Sequence, residues 1–321
     1  MLSNPSPFFS IIIPTKNRVG LLQTCIASVI NQTFTDFELL VIDDGSSDET
    51  WRWLSSLSDE RILIFRNEGS ERSSARNTGL KSAAGKYICF IDDDDLISEC
   101  YLHDFYNAIS VNPQTDLTIY RTGFSYVQDQ GKKKLSAMYN TNQNANPVVF
   151  CLKEFCGCWS LCIPALLAKS ETFDIRWPHW QDTHYIVRLF LKEGKLIQLS
   201  NYNYEYRIHD AMGSKNIFGD EVILDRLALN IGAMDDLLTK ERFRLSKFVD
   251  LSIFDDIKAI KYLEYATSNM VYGQGKHSWR IFKKSIKTKV SFSFYKYYII
   301  WFYNFVKTKT MINLKNNSKG H

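Results

Sequence analysis

Four consecutive carboxylates, Asp92 to Asp95, follow the apolar segment Tyr87-Ile-Cys-Phe-Ile91 and precede the apolar pair Leu96-Ile97. The segment before them is a short run of β-formers, enough for a buried strand. Acids packed this closely repel by roughly a kcal/mol each at surface dielectric, so a cluster at the end of an apolar strand calls for a compensating positive charge. A divalent metal would supply it. Hard ions such as Mg²⁺ and Mn²⁺ take oxygen ligands, and Mg²⁺ commonly uses one or two carboxylates and completes its shell with water and substrate phosphate. The same residues also read as an acidic loop in which Asp95 caps the next helix.

The elements around this cluster repeat one pattern. Ser10 to Pro14 reads as a strand stopped by proline, followed by the polar loop Thr15 to Arg18. Leu21, Leu22, Cys25, Ile26, Val29 and Ile30 then recur at helical spacing and predict a helix over 19–32. Glu38 to Ile42 is a second buried strand ending in Asp43-Asp44-Gly45-Ser46-Ser47-Asp48, a loop with turn chemistry in which Ser47 or Asp48 can cap a helix through Trp53. Ile62 to Phe65 is a third strand, and Ser73 to Ala84 a helix stopped by Gly85. Strands and helices alternating at this spacing predict right-handed crossovers and a mainly parallel sheet. Ligands of such sheets sit beyond the carboxyl ends of the strands, where Thr15 to Arg18, Asp43 to Asp48 and Asp92 to Asp95 all fall. Neither Gly-x-Gly-x-x-Gly nor Gly-x-x-x-x-Gly-Lys-Ser/Thr occurs, which argues against dinucleotide oxidoreductases and P-loop ATPases.

The 321 residues, 45% of them hydrophobic, are enough for one large domain with an extension. The N-terminal apolar run Ile11 to Ile13 is too short for a signal peptide, and no stretch approaches the roughly 20 apolar residues of a spanning helix. Seven cysteines without a paired framework fit a reducing cytoplasm, with Cys156, Cys158 and Cys162 read as core residues. Net charge is +4, but eleven of the 39 basic side chains and none of the 35 acidic ones lie from Lys276 onward. The chain is an acidic body with a basic tail.

Pro14-Thr-Lys-Asn-Arg18, Val41-Ile-Asp-Asp-Gly-Ser-Ser-Asp48, Ala75-Arg-Asn-x-Gly79 and Phe90-Ile-Asp-x-Asp-Asp95, in that order, resemble the donor half of family 2 glycosyltransferases with the GT-A fold. The resemblance implies an α/β fold with a Rossmann-like, mainly parallel sheet flanked by helices. It also implies a nucleotide-sugar donor, Mn²⁺ or Mg²⁺ at an Asp-x-Asp motif, and inverting transfer. By position, Pro14, Thr15 and Asn17 would line the nucleotide pocket, Asp44 would accept from the base's ring NH, and Arg76 would lie near the pyrophosphate. Asp92 and Asp94 form the Asp-x-Asp, with Asp94 the expected direct metal ligand, and Asp93 falls among the donor-binding residues. Because all four positions are Asp, the register of metal contact stays open. Farther on, Trp180-Gln181-Asp182 opens a helical pattern of Tyr185, Ile186, Leu189 and Phe190, where the family places an acidic pair whose Asp is the catalytic base. Asp182 matches it, and Gln181 departs from the commoner Glu, removing one charge but leaving the base. Asn203 to His209 resembles the family's Tyr-Arg-x-His strand ending, which makes His209, with Arg207 alongside, a candidate third metal ligand or diphosphate contact.

The acceptor half carries weaker signals. Asp116 to Tyr120 and Gly123 to Val127 read as strands, Asp129 to Gly131 as a turn and Lys132 to Asn146 as a loop. Trp159 reads as a sugar platform or a core residue, and 211–217 as a loop that closes over the donor. The expected organisation is a catalytic domain over 1–220, with donor and acceptor halves dividing near residue 100, and a helical extension over 221–321. In that extension Trp279, Phe282, Ile286 and Val290 fall on one helical face, continued by Phe294, Tyr298, Trp301 and Phe305, with Lys283, Lys284 and Lys287 off it. A basic amphipathic helix with interfacial aromatics predicts peripheral contact with an anionic membrane, here the inner face of the plasma membrane. Packing on the body or in a homodimer is the alternative. The function expected is transfer of a sugar, from a UDP-sugar by preference, to a glycan or lipid-linked acceptor in capsule or other surface polysaccharide synthesis. The rivals are a nucleotidyltransferase and a noncatalytic carbohydrate-binding protein. Nucleic-acid binding by the tail is disfavoured by its interleaved large aliphatics.

Overall fold

The computed structural model describes residues 6–67, 71–111, 116–128, 133–135, 146–153, 156–209, 222–271 and 275–288. The chain forms two compact units, Met1–His209 and Asp210–His321. The sequence pattern placed the change of domain near residue 220. The expected turn at 129–131, most of the 132–146 loop, the 211–217 loop and the aromatic residues beyond 288 lie outside the described residues.

The first unit begins with β1 (Phe9–Thr15), α1 (Val19–Ile30), β2 (Phe37–Asp43), α2 (Thr50–Leu54), β3 (Ile62–Arg66), α3 (Arg72–Ser82) and β4 (Tyr87–Phe90). These four strands pair in parallel in the order β3-β2-β1-β4. Parallel strands are covered on both faces, which is why β1 and β2 are continuous apolar runs: Ile11, Ile12, Ile13, Leu39, Leu40, Val41 and Ile42 are all fully buried. Leu22, Cys25, Ile26 and Val29 turn one face of α1 into this core.

The second half adds β5 (Leu96–Ile97), α4 (Tyr101–Val111), β6 (Thr118–Gln128), β7 (Lys133–Leu135), α5 (Pro147–Lys153), β8 (Leu161–Pro164), α6 (Ala165–Lys169), α7 (Gln181–Phe190) and β9 (Lys195–Ile208). Here the sheet is mixed. β8 runs antiparallel between β4 and β6, β6 and β9 are parallel, and β5 closes antiparallel on β9 through Leu96↔Glu205 and Ile97↔Tyr204. Because β5 follows the four acids directly, this pairing folds them against the carboxyl end of β9. The two short strands expected around residue 120 are one strand, β6, with a register irregularity at Gly123. Residues 133–135, expected to be loop, pair with its end as β7.

Gly85 plays a different part from a helix stop. α3 ends at Ser82 and Ala83 is already extended. A Cβ on Gly85 would instead lie 2.6 Å from the backbone nitrogen of Ser10, so glycine is needed for close approach to β1. Gly85→Ala is expected to cost about 1–3 kcal/mol, because the strand backbone cannot yield as a side chain can. Chemical denaturation checks this, and unchanged stability would contradict it.

The second unit contains α8 (Val222–Leu245), α9 (Ser252–Val271) and α10 (Gly275–Thr288). The face of α10 that packs on α9 is not the one its large aromatics suggest. Ser278 and Ser285 are buried and donate to the carbonyls of Ala266 (2.6 Å) and Ala259 (2.8 Å), and Ile281 joins Leu263 and Ala266 in a small core with Phe282 half-buried beside it. Trp279 and Ile286 face outward at 43% and 40% exposure, alongside exposed Arg280, Lys283 and Lys287. Small hydroxyl residues win the packed face because they let two helix backbones approach and bond each other's carbonyls.

Candidate active site

Strand register brings the three polar loops together. β1 and β2 pair through Thr15↔Asp43, and β1 and β4 through Ile12↔Phe90. The same offset carried three residues on sets Thr15 opposite Asp93, and the Thr15 hydroxyl donates to Asp93 Oδ2 at 2.7 Å. β2 and β3 pair through Asp43↔Arg66, so the next residues, Asp44 and Asn67, also meet: Asn67 Nδ2 donates to Asp44 Oδ1 at 2.6 Å. Asp44 is 6% exposed, and burial pushes its carboxyl above the ordinary range. Asp43 is fully buried and accepts from the Ser46 amide, which makes it the anchor of the β2–α2 turn.

Pro14 is buried under the site. Asn17 has φ +53°, in the left-handed region that asparagine tolerates, and its Oδ1 accepts from the Ser47 amide at 2.7 Å. Its own amide donates to Ser46 Oγ at 2.9 Å, so Asn17 clamps the β1–α1 loop to the β2–α2 loop.

The four acids divide into separate roles. Asp95 is 1% exposed and accepts from the Tyr204 hydroxyl (2.7 Å) and the Arg207 amide (2.9 Å), so both its oxygens tie the acidic loop to β9. Arg207 completes that tie, with Nε on the Asp94 carbonyl and Nη1 on Thr24 of α1. Asp94 turns toward the opening, and its Oδ2 lies 2.6 Å from Arg18 Nη1 and 3.3 Å from His209 Nε2. Asp93 takes Thr15 and Arg18. Asp92 accepts from Arg76 Nη2 at 2.8 Å; burial raises its carboxyl, but Arg76, Arg72 and Arg18 prevail and hold it below the usual range.

Asp93 is the electrostatically costly member. Burial, aided by Asp94, pushes its carboxyl up to about 6, against the lowering pull of Arg18. With the folded value above the unfolded one, this group favours the fold at low pH, and its contribution is lost as pH rises from about 4 to 6. Asp93→Asn should therefore gain stability relative to wild type across that window, by about 1–3 kcal/mol, in metal-free protein. Denaturation at pH 4.5 and 7 in EDTA reads it out, and parallel curves for the two proteins would contradict it.

Arg76 links the two halves of the site. Its side chain is fully buried, with Nη1 2.7 Å from Asp182 Oδ1, Nη2 on Asp92, and the guanidinium 5.3 Å from the ring centre of Phe173. The resemblance implies a pyrophosphate contact for this residue; in the structure both outer nitrogens are held by carboxylates. Asp182 is the second residue of α7, entered through Trp180 in the left-handed region at φ +62°. Among the described residues both of its contacts, Arg76 and the Cys158 thiol at 3.3 Å, fall on Oδ1. Oδ2 is left for another partner. Gln181 accepts from the Ser73 hydroxyl of α3, so the departure from glutamate is an uncharged helix-to-helix link. Burial pushes the Cys158 thiol well above its ordinary range, so it stays protonated. Trp159 is 2% exposed and stacked on Tyr204, with centroids 4.5 Å apart: it is a core residue.

The donor set fits a divalent cation. Asp92, Asp94 and Asp95 each bring a carboxylate oxygen within 4.8 Å of the others. Asp95 is engaged by β9, which leaves Asp94 and Asp92 with His209 at the edge. The 3.3 Å between Asp94 Oδ2 and His209 Nε2 is close to the roughly 3 Å that separates neighbouring ligands of an octahedral ion with bonds of about 2.1 Å.

Sequence reasoning missed three participants. Arg18 lay inside a quoted motif without a role, Cys158 read only as core, and Asn67 carried no signal, since its contact depends on the β2–β3 register.

A family model for glycosyl transferase family 2 matches residues 10–161. Glycosyltransferase GlyA of Streptococcus pneumoniae serotype 4 is 30% identical over 213 residues, covering 62% of this chain and 30% of that protein. The UDP-Glc:alpha-D-GlcNAc-diphosphoundecaprenol beta-1,3-glucosyltransferase WfgD of Escherichia coli is 44% identical over 88 residues, covering 27% of this chain and 35% of WfgD. Among solved structures, S. aureus TarS 1-349 in complex with UDP-GlcNAc superposes with TM-score 0.59 at 16% identity, over 87% of this chain and 89% of that one. That last likeness is one of fold. The fold is GT-A-like, a curled mixed sheet flanked by helices. Residues 10–161 are similar to glycosyltransferase family 2. The chain spans about a third of the length of these two curated relatives.

Proposed function

We propose that this chain transfers a sugar, with inversion, from a UDP-sugar to a hydroxyl of a lipid-linked or polymeric surface glycan. The observation that carries the reading is the buried Arg76 bridge, which sets a carboxylate with a remaining oxygen, Asp182, across from the loops that would hold the nucleotide. In this reading Pro14, Thr15 and Asn17 line the nucleotide pocket and Asp44 accepts from the base's ring NH. Asp92, Asp94 and His209 hold Mn²⁺ or Mg²⁺, which when bound offsets charge developing on the leaving diphosphate. Asp182 Oδ2 takes the proton of the acceptor hydroxyl as its oxygen bonds to the anomeric carbon from the face opposite the diphosphate. The anomeric C–O bond breaks, and the nucleoside diphosphate leaves with that electron pair. One base suffices because no covalent intermediate forms.

The donor class draws support from TarS and WfgD, whose names carry UDP-sugars, and the lipid-linked acceptor from WfgD. Such an acceptor calls for work at the inner membrane face. The outward side of α10, with Trp279 and Ile286 among Arg280, Lys283 and Lys287 and no acid, suits an anionic lipid surface. Among the described residues no helix is long and apolar enough to cross a membrane.

The test is nucleotide release from a panel of UDP-, GDP- and dTDP-sugars with Mn²⁺, with and without EDTA. Release of the nucleoside diphosphate from one donor, stopped by EDTA, is expected. Pyrophosphate released in a parallel assay with nucleoside triphosphates and sugar 1-phosphates would mark a nucleotidyltransferase, and no release with any donor would sink the reading. For the membrane contact, Trp279→Ser with Lys283→Glu should reduce cosedimentation with phosphatidylglycerol vesicles by about tenfold or more, each Lys being worth about 1 kcal/mol near such a surface.

A further inference from the structure

Arg18 pairs with two carboxylates of the acidic loop at once. Arg18 closes the β1–α1 loop immediately before α1, with its side chain 20% exposed at the mouth of the site. A single nitrogen, Nη1, lies 3.0 Å from Asp93 Oδ1 and 2.6 Å from Asp94 Oδ2. A structural arginine commonly grips one carboxylate with its fork. Here the NH2 group of Nη1 reaches two neighbouring carboxylates, where a cation would bridge them.

Asp94 Oδ2, the atom that Arg18 occupies, is also the one facing His209 Nε2 at 3.3 Å. Arg18 and a divalent ion liganded by Asp94 and His209 would therefore compete for one oxygen. Two cations at that spacing repel strongly unless further negative charge arrives.

Resting on the metal-dependent reading of this site, we infer that Arg18 is a built-in counter-cation that holds Asp93 and Asp94 in the ligand-free protein and makes metal binding conditional on a nucleoside diphosphate. Metal alone must expel Arg18 from two carboxylates. When a diphosphate enters with the metal, its oxygens accept the displaced guanidinium, and both cations are compensated. Metal and nucleotide then bind with positive coupling, each raising the other's affinity by the same factor. The loop can allow this movement without unravelling, because its backbone is fixed independently by Asn17 on Ser46 and Ser47.

The test is the affinity for Mn²⁺ alone and with saturating UDP, read from the electron paramagnetic resonance signal of free Mn²⁺, for wild type, Arg18→Gln and Arg18→Lys. Wild type is expected to bind Mn²⁺ at least about tenfold more tightly with UDP than without. Arg18→Gln should bind Mn²⁺ alone about tenfold more tightly than wild type and lose most of the coupling, and Arg18→Lys, which keeps the charge, should restore it. Arg18→Gln binding Mn²⁺ alone no more tightly than wild type, while wild type shows the UDP effect, would overturn this inference and leave the metal-dependent reading standing. Wild type that binds no Mn²⁺ even with UDP would overturn both. Circular dichroism of each variant guards against loss of fold, and if Arg18→Gln does not fold, Mn²⁺ binding alone by Arg18→Lys as tight as with UDP would overturn the inference.

Discussion

Asp182→Asn is expected to lower kcat for sugar transfer by about 10²- to 10⁴-fold while the affinity for UDP stays within about threefold of wild type. Asparagine keeps the size of the side chain and can still accept from Arg76 through its oxygen, so the bridge to Asp92 keeps one arm. What it loses is the ability to take a proton. The split between turnover and binding separates a base from a merely structural acid. A structural acid at the head of α7 would change stability and both kinetic constants together. Turnover within a few-fold of wild type would remove Asp182 from the chemistry.

The second large effect falls on Arg76. Its guanidinium is fully buried between Asp92 and Asp182, and removing one partner of such a buried network leaves uncompensated charge. Arg76→Met should cost about 3–5 kcal/mol of stability. Arg76→Lys keeps a positive charge but presents one nitrogen where the arginine presents two, so it holds either Asp92 or Asp182 in place but not both. It is expected to retain most of the stability yet lose about 10²-fold in kcat, since a small misplacement of the base is costly. Denaturant titration together with steady-state rates on the same preparations checks both. Full activity in Arg76→Lys would show that the bridge only supports the fold.

The first four strands were legible because their physics is local. Parallel strands buried on both faces have to be continuous apolar runs, and β1, β2, β3 and β4 fall within a residue or two of where those runs lie. The loops at their carboxyl ends are polar, so Thr15, Asp44 and Asp92 to Asp94 stood out in the sequence as site candidates.

What stayed hidden depends on register and on packing between distant segments. The difference between Asp95, which is structural, and Asp94, which faces the opening, comes from β5 pairing with β9, some 110 residues away. Four identical residues in a row cannot announce that division. Nothing near Arg76 in sequence says that it will be sealed beneath Phe173 and spanned between two carboxylates. The tail shows the same limit. Hydropathy picked Trp279 and Ile286 for a common face with Phe282, yet the docking surface on α9 is chosen by Ser278 and Ser285, whose value lies in being small and able to donate.

A calorimetric titration of UDP would decide whether the proposed nucleotide site is completed by a cation at Asp94. UDP should bind in the presence of Mn²⁺, at least about tenfold more weakly in EDTA, and as weakly in Asp94→Asn whether or not Mn²⁺ is present, since loss of the cation removes the charge that compensates the diphosphate. UDP binding that is equally tight in EDTA and in Asp94→Asn, or no UDP binding at all, would contradict that proposal.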